Sequence, residues 1–297
     1  MRHLNRNLRT ALMTAGLVVL VFVIRESATI PVSSEEVNLF KDSNDFSKSS
    51  LEVKPEIEVK PDIDVQASAA GAYGEGGKET FGWETDKRWP IASLTKLMTA
   101  VVALENLPIN EVITISEEAV ATEGDSGSFR AGEKFKLNDL LKAMMLVSSN
   151  DAAAAIAMRV GEDEFVAAMN KKAEALGLTD TNFVDPTGLS VKNQSTVVDL
   201  LRLTEYMRNF EPEIFAVTKK TKDIIVEVKT GKRRTIVNIN AFAGRSDFLG
   251  GKTGSTLEAG ENLISVFKVA GEPKTIIILG ALDRFAETEK IKDSLWQ

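Results

Sequence analysis

Ser93 and Lys96 stand three residues apart in the run Ser93-Leu94-Thr95-Lys96. On a helix, residues at i and i+3 share a face, so the lysine can reach the serine hydroxyl. A serine at a helix start also lies at the positive end of the helix dipole. Burial and a second nearby cation lower a lysine's pKa toward about 7–8, where it can take the serine proton. The spacing alone is weak, since about one such match is expected by chance at this composition. A second does occur, Ser265-Val266-Phe267-Lys268, in a strand-like run. There, residues three apart point to opposite faces, so that pair cannot meet. The candidate nucleophile is therefore Ser93 and the candidate base Lys96.

Two more short runs have chemical potential. Ser148-Ser149-Asn150 ends a helical pattern over 137–147 and opens an alanine-rich one from Asp151. It reads either as a polar break that caps a helix or as a loop aiming a hydroxyl and an amide into a cleft. Gly250-Gly251 precede Lys252-Thr253-Gly254. A small-residue strand edge with a lysine and a hydroxyl can bind a carboxylate, and glycines let a substrate backbone lie close. Lys229-Thr230-Gly231 repeats the same triplet between two strand-like runs, followed by Lys232, Arg233 and Arg234. That copy reads as a charged hairpin tip in which Gly231 makes the turn.

Composition removes the usual rivals. The chain has no cysteine and one histidine, His3, in the basic N-terminal tail. Thiolate catalysis, thiolate metal sites and disulfides are excluded. A Ser-His triad cannot be built, and no His-ligated metal site is plausible. A serine hydrolase made from this chain needs another base, and lysine is the usual substitute. A formal net charge of -7 argues against a nucleic-acid partner.

The elements that position these residues can be read coarsely. The 297 residues suit one large domain or two small ones. Arg2, Arg6 and Arg9 precede an apolar run from Ala11 to Ile24, closed by Arg25 and Glu26. This reads as an export signal. No small-x-small cleavage site follows, so residues 1–25 read as an uncleaved anchor in preference to a cleaved signal peptide. The positive-inside rule then puts everything after Ile24 outside the cytoplasmic membrane. Residues 26–64 are Ser-, Glu-, Asp- and Lys-rich, with Val53-Lys54-Pro55-Glu56-Ile57-Glu58 repeated as Val59-Lys60-Pro61-Asp62-Ile63-Asp64. Proline and like charges favour an extended, solvated tether. The folded domain is expected over 65–285, with 286–297 as a C-terminal tail. Residues 67–84 read as a hairpin turning at Gly76-Gly77. Ser93 to Leu107, apolar almost all round, reads as a buried central helix. Helical spacing recurs over 137–160, 162–176 and 196–209. Strands follow at Ile224–Val228, Thr235–Ile239, Leu263–Lys268 and Thr275–Leu282. Strands at both ends with helices between them predict an α+β domain, a mainly antiparallel sheet flanked by helices plus a helical lobe.

In this order the three short runs resemble the penicillin-binding protein and serine β-lactamase superfamily. Within it the chain is similar to the low-molecular-weight D-alanyl-D-alanine carboxypeptidases of peptidase family S11. The likeness extends over Ile91-Ala92-Ser93-Leu94-Thr95-Lys96-Leu97-Met98-Thr99-Ala100, Ser148-Ser149-Asn150-Asp151-Ala152, Phe183-Val184-Asp185-Pro186-Thr187-Gly188-Leu189 and Gly251-Lys252-Thr253-Gly254-Ser255-Thr256 with Ala259-Gly260. It spans roughly residues 65–285. Ser149 departs from a usual glycine, and Ser255 from a common histidine or tyrosine.

The resemblance implies acyl transfer at a peptidoglycan stem peptide ending in D-Ala-D-Ala, with no cofactor and no metal. Lys96 would deprotonate Ser93, and the backbone N–H groups of Ser93 and Ser255 would form the oxyanion hole. Ser148 would relay a proton to the departing D-alanine, and Asn150 would hold the substrate amide. Lys252 and Thr253, with Gly254 beside them, would bind the terminal carboxylate. β-Lactams would acylate Ser93 by the same route. The alternatives are a non-catalytic penicillin-binding or scaffold protein and a β-lactamase. No Glu-x-x-Leu-Asn deacylation loop lies between Asn150 and Lys252, which weighs against the latter.

Overall fold

Two mainly apolar stretches, Leu263–Phe267, broken only by Ser265, and Ile276–Leu279, are too short for helices and too apolar for strands with one wet face. They form the middle of a sheet covered on both sides. The computed structural model describes residues 62–124 and 127–296. The expected anchor over 1–25, and all but the last three residues of the expected tether over 26–64, lie outside the described residues.

In chain order, β1 (Ala69–Tyr73) and β2 (Glu79–Trp83) make a hairpin, and β3 (Trp89–Pro90) leads through a 3₁₀ turn at Ala92–Leu94 into α1 (Thr95–Asn106). Next come β4 (Val112–Thr114), α2 (Glu117–Val120), β5 (Lys134–Lys136), α3 (Leu137–Leu146), α4 (Asn150–Val160) and α5 (Glu162–Ala175). After β6 (Gln194–Ser195) follow α6 (Val197–Phe210), α7 (Pro212–Thr218) and the hairpin β7 (Lys222–Val226) with β8 (Arg233–Val237). The long strands β9 (Phe248–Thr256), β10 (Gly260–Val269) and β11 (Glu272–Ala281) precede α8 (Arg284–Leu295).

The main sheet runs β2-β1-β11-β10-β9, antiparallel throughout, with β9 at one edge. Alternation along β10 and β11 sends Ile264, Val266, Ile277 and Leu279 into the core shared with the helical lobe. Leu263, Phe267, Ile276 and Ile278 go to a second core on the opposite face. This is the expected α+β architecture. The 3.6-residue pattern over 93–107 buries α1 on every side from Thr95 to Ala103. Such a helix is held by packing all round it, and its start is correspondingly rigid.

One boundary needs correcting. Residues 286–297 were expected to be a tail, but most of them belong to α8, which packs on the second face of the sheet through Phe285, Ile291 and Leu295. Burying a side chain such as Ile291 is worth about 1.5–3 kcal/mol. Only these few positions are apolar on a helix otherwise rich in charge, which is why the pattern reads as solvated. Residues 63–67 close the same core through Ile63, Val65 and Ala67. They are tied to α8 by Gln66 N–H donating to Glu287 Oε2 (3.1 Å) and by Lys290 Nζ donating to the Asp64 carbonyl (2.8 Å). No helix among the described residues is long and apolar enough to cross a membrane.

Candidate active site

Ser93 is aimed by the short run before α1. β3 pairs with β6, the Ile91 N–H donates to the Asn193 carbonyl (3.0 Å), and Asn262 Nδ2 donates to the Pro90 carbonyl (2.9 Å). Ala92 then takes φ +48, in the left-handed region that ordinarily favours glycine. Such strain persists only where surrounding structure over-determines it. The result is a half-buried Ser93 at the mouth of α1, with Lys96 fully buried one turn on.

Lys96 Nζ lies 2.8 Å from Ser93 Oγ, 2.6 Å from Asn150 Oδ1 and 2.6 Å from the Thr187 carbonyl. The Asn150 amide is oriented by its other end, because Nδ2 donates to the Glu123 carbonyl (2.7 Å). Asn150 Oδ1 and the Thr187 carbonyl can only accept, whereas a hydroxyl can accept or donate. A neutral amine that donates to these two oxygens therefore directs its lone pair at the Ser93 hydroxyl. This arrangement can take a proton from Ser93.

In the Ser148-Ser149-Asn150 run, the capping role falls to Ser149. Ser149 is the N-cap of α4, accepting from the Ala152 N–H (3.0 Å), and it donates to Asp151. The Asp151 carboxylate in turn accepts the Gly127 N–H (2.8 Å). The hydroxyl that departs from the familiar glycine is thus inside the fold, bracing the start of α4. Ser148 has φ +59 and turns its side chain the other way, where Lys252 Nζ reaches its Oγ at 2.9 Å.

β9 forms the other wall. A side chain at Gly254 would come within 3.1 Å of Ser93 N and 2.9 Å of the Ile91 carbonyl oxygen, so only glycine lets the strand lie this close. Gly251 N–H points off the sheet edge to Thr218 Oγ1 (3.1 Å). By the two-residue alternation of a strand in regular register, the N–H groups of Thr253 and Ser255 leave the same edge. Ser255 is exposed and Thr253 buried. The Lys252 ammonium is buried and engaged with Ser148 Oγ and the Thr253 carbonyl (2.7 Å). Arg284, which sequence reasoning missed, donates from Nη1 to the Gly254 carbonyl (3.0 Å). It comes from the start of α8, far along the chain, and no residue spacing marks it.

The loop after α5 closes the base side. The Asp185 carboxylate accepts from Thr187 N–H (2.8 Å), Thr187 Oγ1 (2.7 Å), Gly188 N–H (2.7 Å) and Ser190 N–H (3.0 Å). It thereby folds the turn whose Thr187 carbonyl meets Lys96. Burial alone would raise this carboxyl's pKa, but the bonds from Thr187, Ser190 and Gly188 outweigh it and hold it below the ordinary 3.8. A lowered carboxyl stabilises the fold above its unfolded pKa and loses that contribution as pH falls through the folded one. Asp185→Ala is expected to cost about 1–3 kcal/mol at neutral pH, from donors left unpaired. In melting curves the gap to the parent should narrow as pH falls below about 4, where the parent's Asp185 carboxylate takes up its proton and the variant has none to lose. A gap that persists unchanged into acid would contradict the role of the carboxylate.

The decoys separate cleanly. Ser265 is buried in β10 while Lys268 is exposed, so the second Ser-x-x-Lys pair does not meet. Lys229-Thr230-Gly231 is the exposed tip between β7 and β8, with Gly231 at φ +71.

Comparison with known proteins agrees with this geometry. A family model described as D-alanyl-D-alanine carboxypeptidase, peptidase S11, matches residues 74–283. A D-alanyl-D-alanine endopeptidase of Pseudomonas aeruginosa is 35% identical over 218 residues, covering 70% of this chain and 69% of that protein. The D-alanyl-D-alanine carboxypeptidase DacF of Bacillus subtilis is 31% identical over 229 residues, 73% of this chain and 58% of that one. Among solved structures, penicillin-binding protein D2 of Listeria monocytogenes in its ampicillin-bound form superposes with a TM-score of 0.70 at 30% identity, over 79% of this chain and 99% of that one.

Proposed function

Because the chain belongs to the D-alanyl-D-alanine carboxypeptidase family, S11, we propose that it releases the terminal D-alanine of peptidoglycan stem peptides through an acyl-enzyme on Ser93. The observation that carries this reading is Lys96 Nζ at 2.8 Å from Ser93 Oγ, with its other two bonds made to oxygens that only accept. Lys96 takes the Ser93 proton as Oγ attacks the penultimate carbonyl. The developing oxyanion sits between the N–H groups of Ser93 and Ser255, each such donor worth about 3–4 kcal/mol in the transition state. The proton passes through Ser148 to the departing amine, Ser148 being held by Lys252. Asn150 holds both Lys96 and the substrate amide. The substrate's terminal carboxylate meets Thr253, in the positive field of Lys252 and Arg284, with Gly254 keeping the strand close. Water releases the acyl group. β-Lactams acylate Ser93 by the same steps, and no metal or cofactor enters them. The enzyme acts on the cell-wall side of the cytoplasmic membrane, held there by residues 1–25 with 26–61 as the tether.

Two assays on the purified protein test the reading: labelling by fluorescent penicillin, and D-alanine release from a D-Ala-D-Ala peptide. The parent should do both and Ser93→Ala neither. Labelling without release would make the chain a binding module, and rapid penicillin turnover a β-lactamase. Labelling that survives in Ser93→Ala but not in Ser265→Ala would identify the wrong nucleophile. A second reading, cleavage of cross-linked peptides, is favoured by the endopeptidase name of the P. aeruginosa relative. It predicts faster cutting of a cross-linked dimer than of the monomeric peptide.

A further inference from the structure

The hairpin β7–β8 differs in charge from the rest of the molecule. The chain as a whole carries a formal net charge of -7, yet residues 219–237 hold seven lysines and arginines against two carboxylates, Asp223 and Glu227. Both carboxylates are spent internally. Asp223 accepts from Lys220 (2.7 Å) and lies 4.0 Å from Lys142, while Glu227 accepts from Thr230 and from the Lys134 N–H. Lys222, Lys229, Lys232 and Arg233 are exposed and form no ion pair among the described residues.

The strand pairing puts two of these cations on a face that also carries apolar residues. One face of the hairpin, with Ile225 and Ile236, is buried in the core of the helical lobe. The other carries Lys222 opposite Val237, Ile224 opposite Thr235, and Val226 opposite Arg233. On and beside it, Ile224 is 36% exposed, Val228 43%, Val237 62% and Ile239 47%. Bare aliphatics interleaved with unpaired cations make a surface that no element among the described residues covers. Three occupants could be considered. A second copy would bring like charges face to face. A soluble polyanion needs the cations but gains nothing from the aliphatics. A membrane surface rich in anionic lipid uses both, since each lysine or arginine near it is attracted electrostatically and aliphatic side chains enter the headgroup boundary.

We propose that the outer face of the β7–β8 hairpin is a docking surface for anionic phospholipid headgroups, separate from the Ser93 site and from any N-terminal anchor. The contact would present the domain to the membrane in one orientation, with the hairpin down. The hairpin is rigidly joined to the catalytic lobe, because the Ile239 N–H donates to the Leu146 carbonyl (3.1 Å), two residues before Ser148.

The chain has no cysteine, so a single introduced thiol reports on one place. Full-length Val237→Cys carries an environment-sensitive fluorophore and is reconstituted into vesicles of phosphatidylglycerol with phosphatidylethanolamine, or of phosphatidylcholine alone. Glu258→Cys, on the exposed turn between β9 and β10, carries the same dye as the control. The Val237 label should shift to the blue in the anionic vesicles only, and its quenching by neutral acrylamide should fall about threefold or more; salt at about 0.5 M should reverse both. Replacing Lys222, Lys229, Lys232 and Arg233 together by Gln should abolish the effect, with an unchanged melting curve verifying the fold. Equal protection in neutral vesicles, equal protection at Glu258, or protection that survives the four Gln substitutions would overturn the proposal. So would protection by soluble polyphosphate alone, which would make the partner a phosphate polymer, or protection in detergent that grows with protein concentration, which would make it a second copy.

Discussion

Lys96→Met is expected to lower the rate of Ser93 acylation by penicillin about 10⁴-fold, the upper range for losing a positioned general base. Methionine nearly matches the volume of the lysine stem, so α1 keeps its packing. What disappears is the nitrogen that meets Ser93 Oγ, Asn150 Oδ1 and the Thr187 carbonyl. The last two are buried acceptors, and leaving them unpaired costs about 1–3 kcal/mol each. Melting temperature should therefore fall, but by far less than the rate. Lys268→Met, on the exposed face of β10, supplies the control and should leave both quantities unchanged. The measurement is the second-order labelling rate at neutral pH, with the unfolded fraction taken from the melt. A Lys96→Met protein that labels within about tenfold of the parent would mean that the serine is deprotonated by something else.

Much of this site was legible in the residue types, and the reason is instructive. The Ser93 and Lys96 side chains meet at a helical spacing, so the pattern survives in one dimension. The decoy at Ser265 fell to the same logic, because strand alternation separates it from Lys268. The roles proposed for Ser148, Asn150 and Lys252 were less visible from spacing alone and came from order along the chain and from likeness to a family. Three features had no such signal. The Thr187 carbonyl that completes the Lys96 site is backbone, and every residue has one. Arg284 reaches Gly254 only because β9, β10 and β11 lie side by side. Helix α8 hides its apolar contacts among charges.

The second face of the sheet was nevertheless implied. Leu263–Phe267 and Ile276–Leu279 lack the alternation of a strand with one wet side, so something had to cover both faces. The helical lobe covers one, and α8 with residues 63–67 covers the other. Counting uncovered faces would have drawn 286–296 into the folded domain where local composition assigned a tail. The same argument applies in reverse to the β7–β8 hairpin. One of its faces has a core partner, and the other, apolar and cationic, has none among the described residues.

Gly188→Ala should be the most damaging single-methyl change in the molecule. Gly188 has φ +86, and a Cβ there would lie 2.0 Å from the Ala92 carbonyl oxygen and 3.0 Å from Ser93 N. These are backbone atoms, so no rotamer relieves the contact. The left-handed conformation costs an alanine about 1–2 kcal/mol, and overpacking adds about 1–3 kcal/mol. The outlet of that strain is fixed by geometry: either the 3₁₀ turn at Ala92–Leu94 moves, or the loop retracts and takes the Thr187 carbonyl away from Lys96. Both change the Ser93–Lys96 pair, so acylation should fall together with stability. Gly177→Ala separates the two contributions. It shares a positive φ, +67, but has nothing within 4 Å of the new methyl. It should show the backbone cost of about 1–2 kcal/mol alone and full labelling. If Gly188→Ala melts and labels like Gly177→Ala, then contact between this loop and the nucleophile turn is not what holds Ser93 in place, and the rigidity attributed to the site must come from α1 and β9.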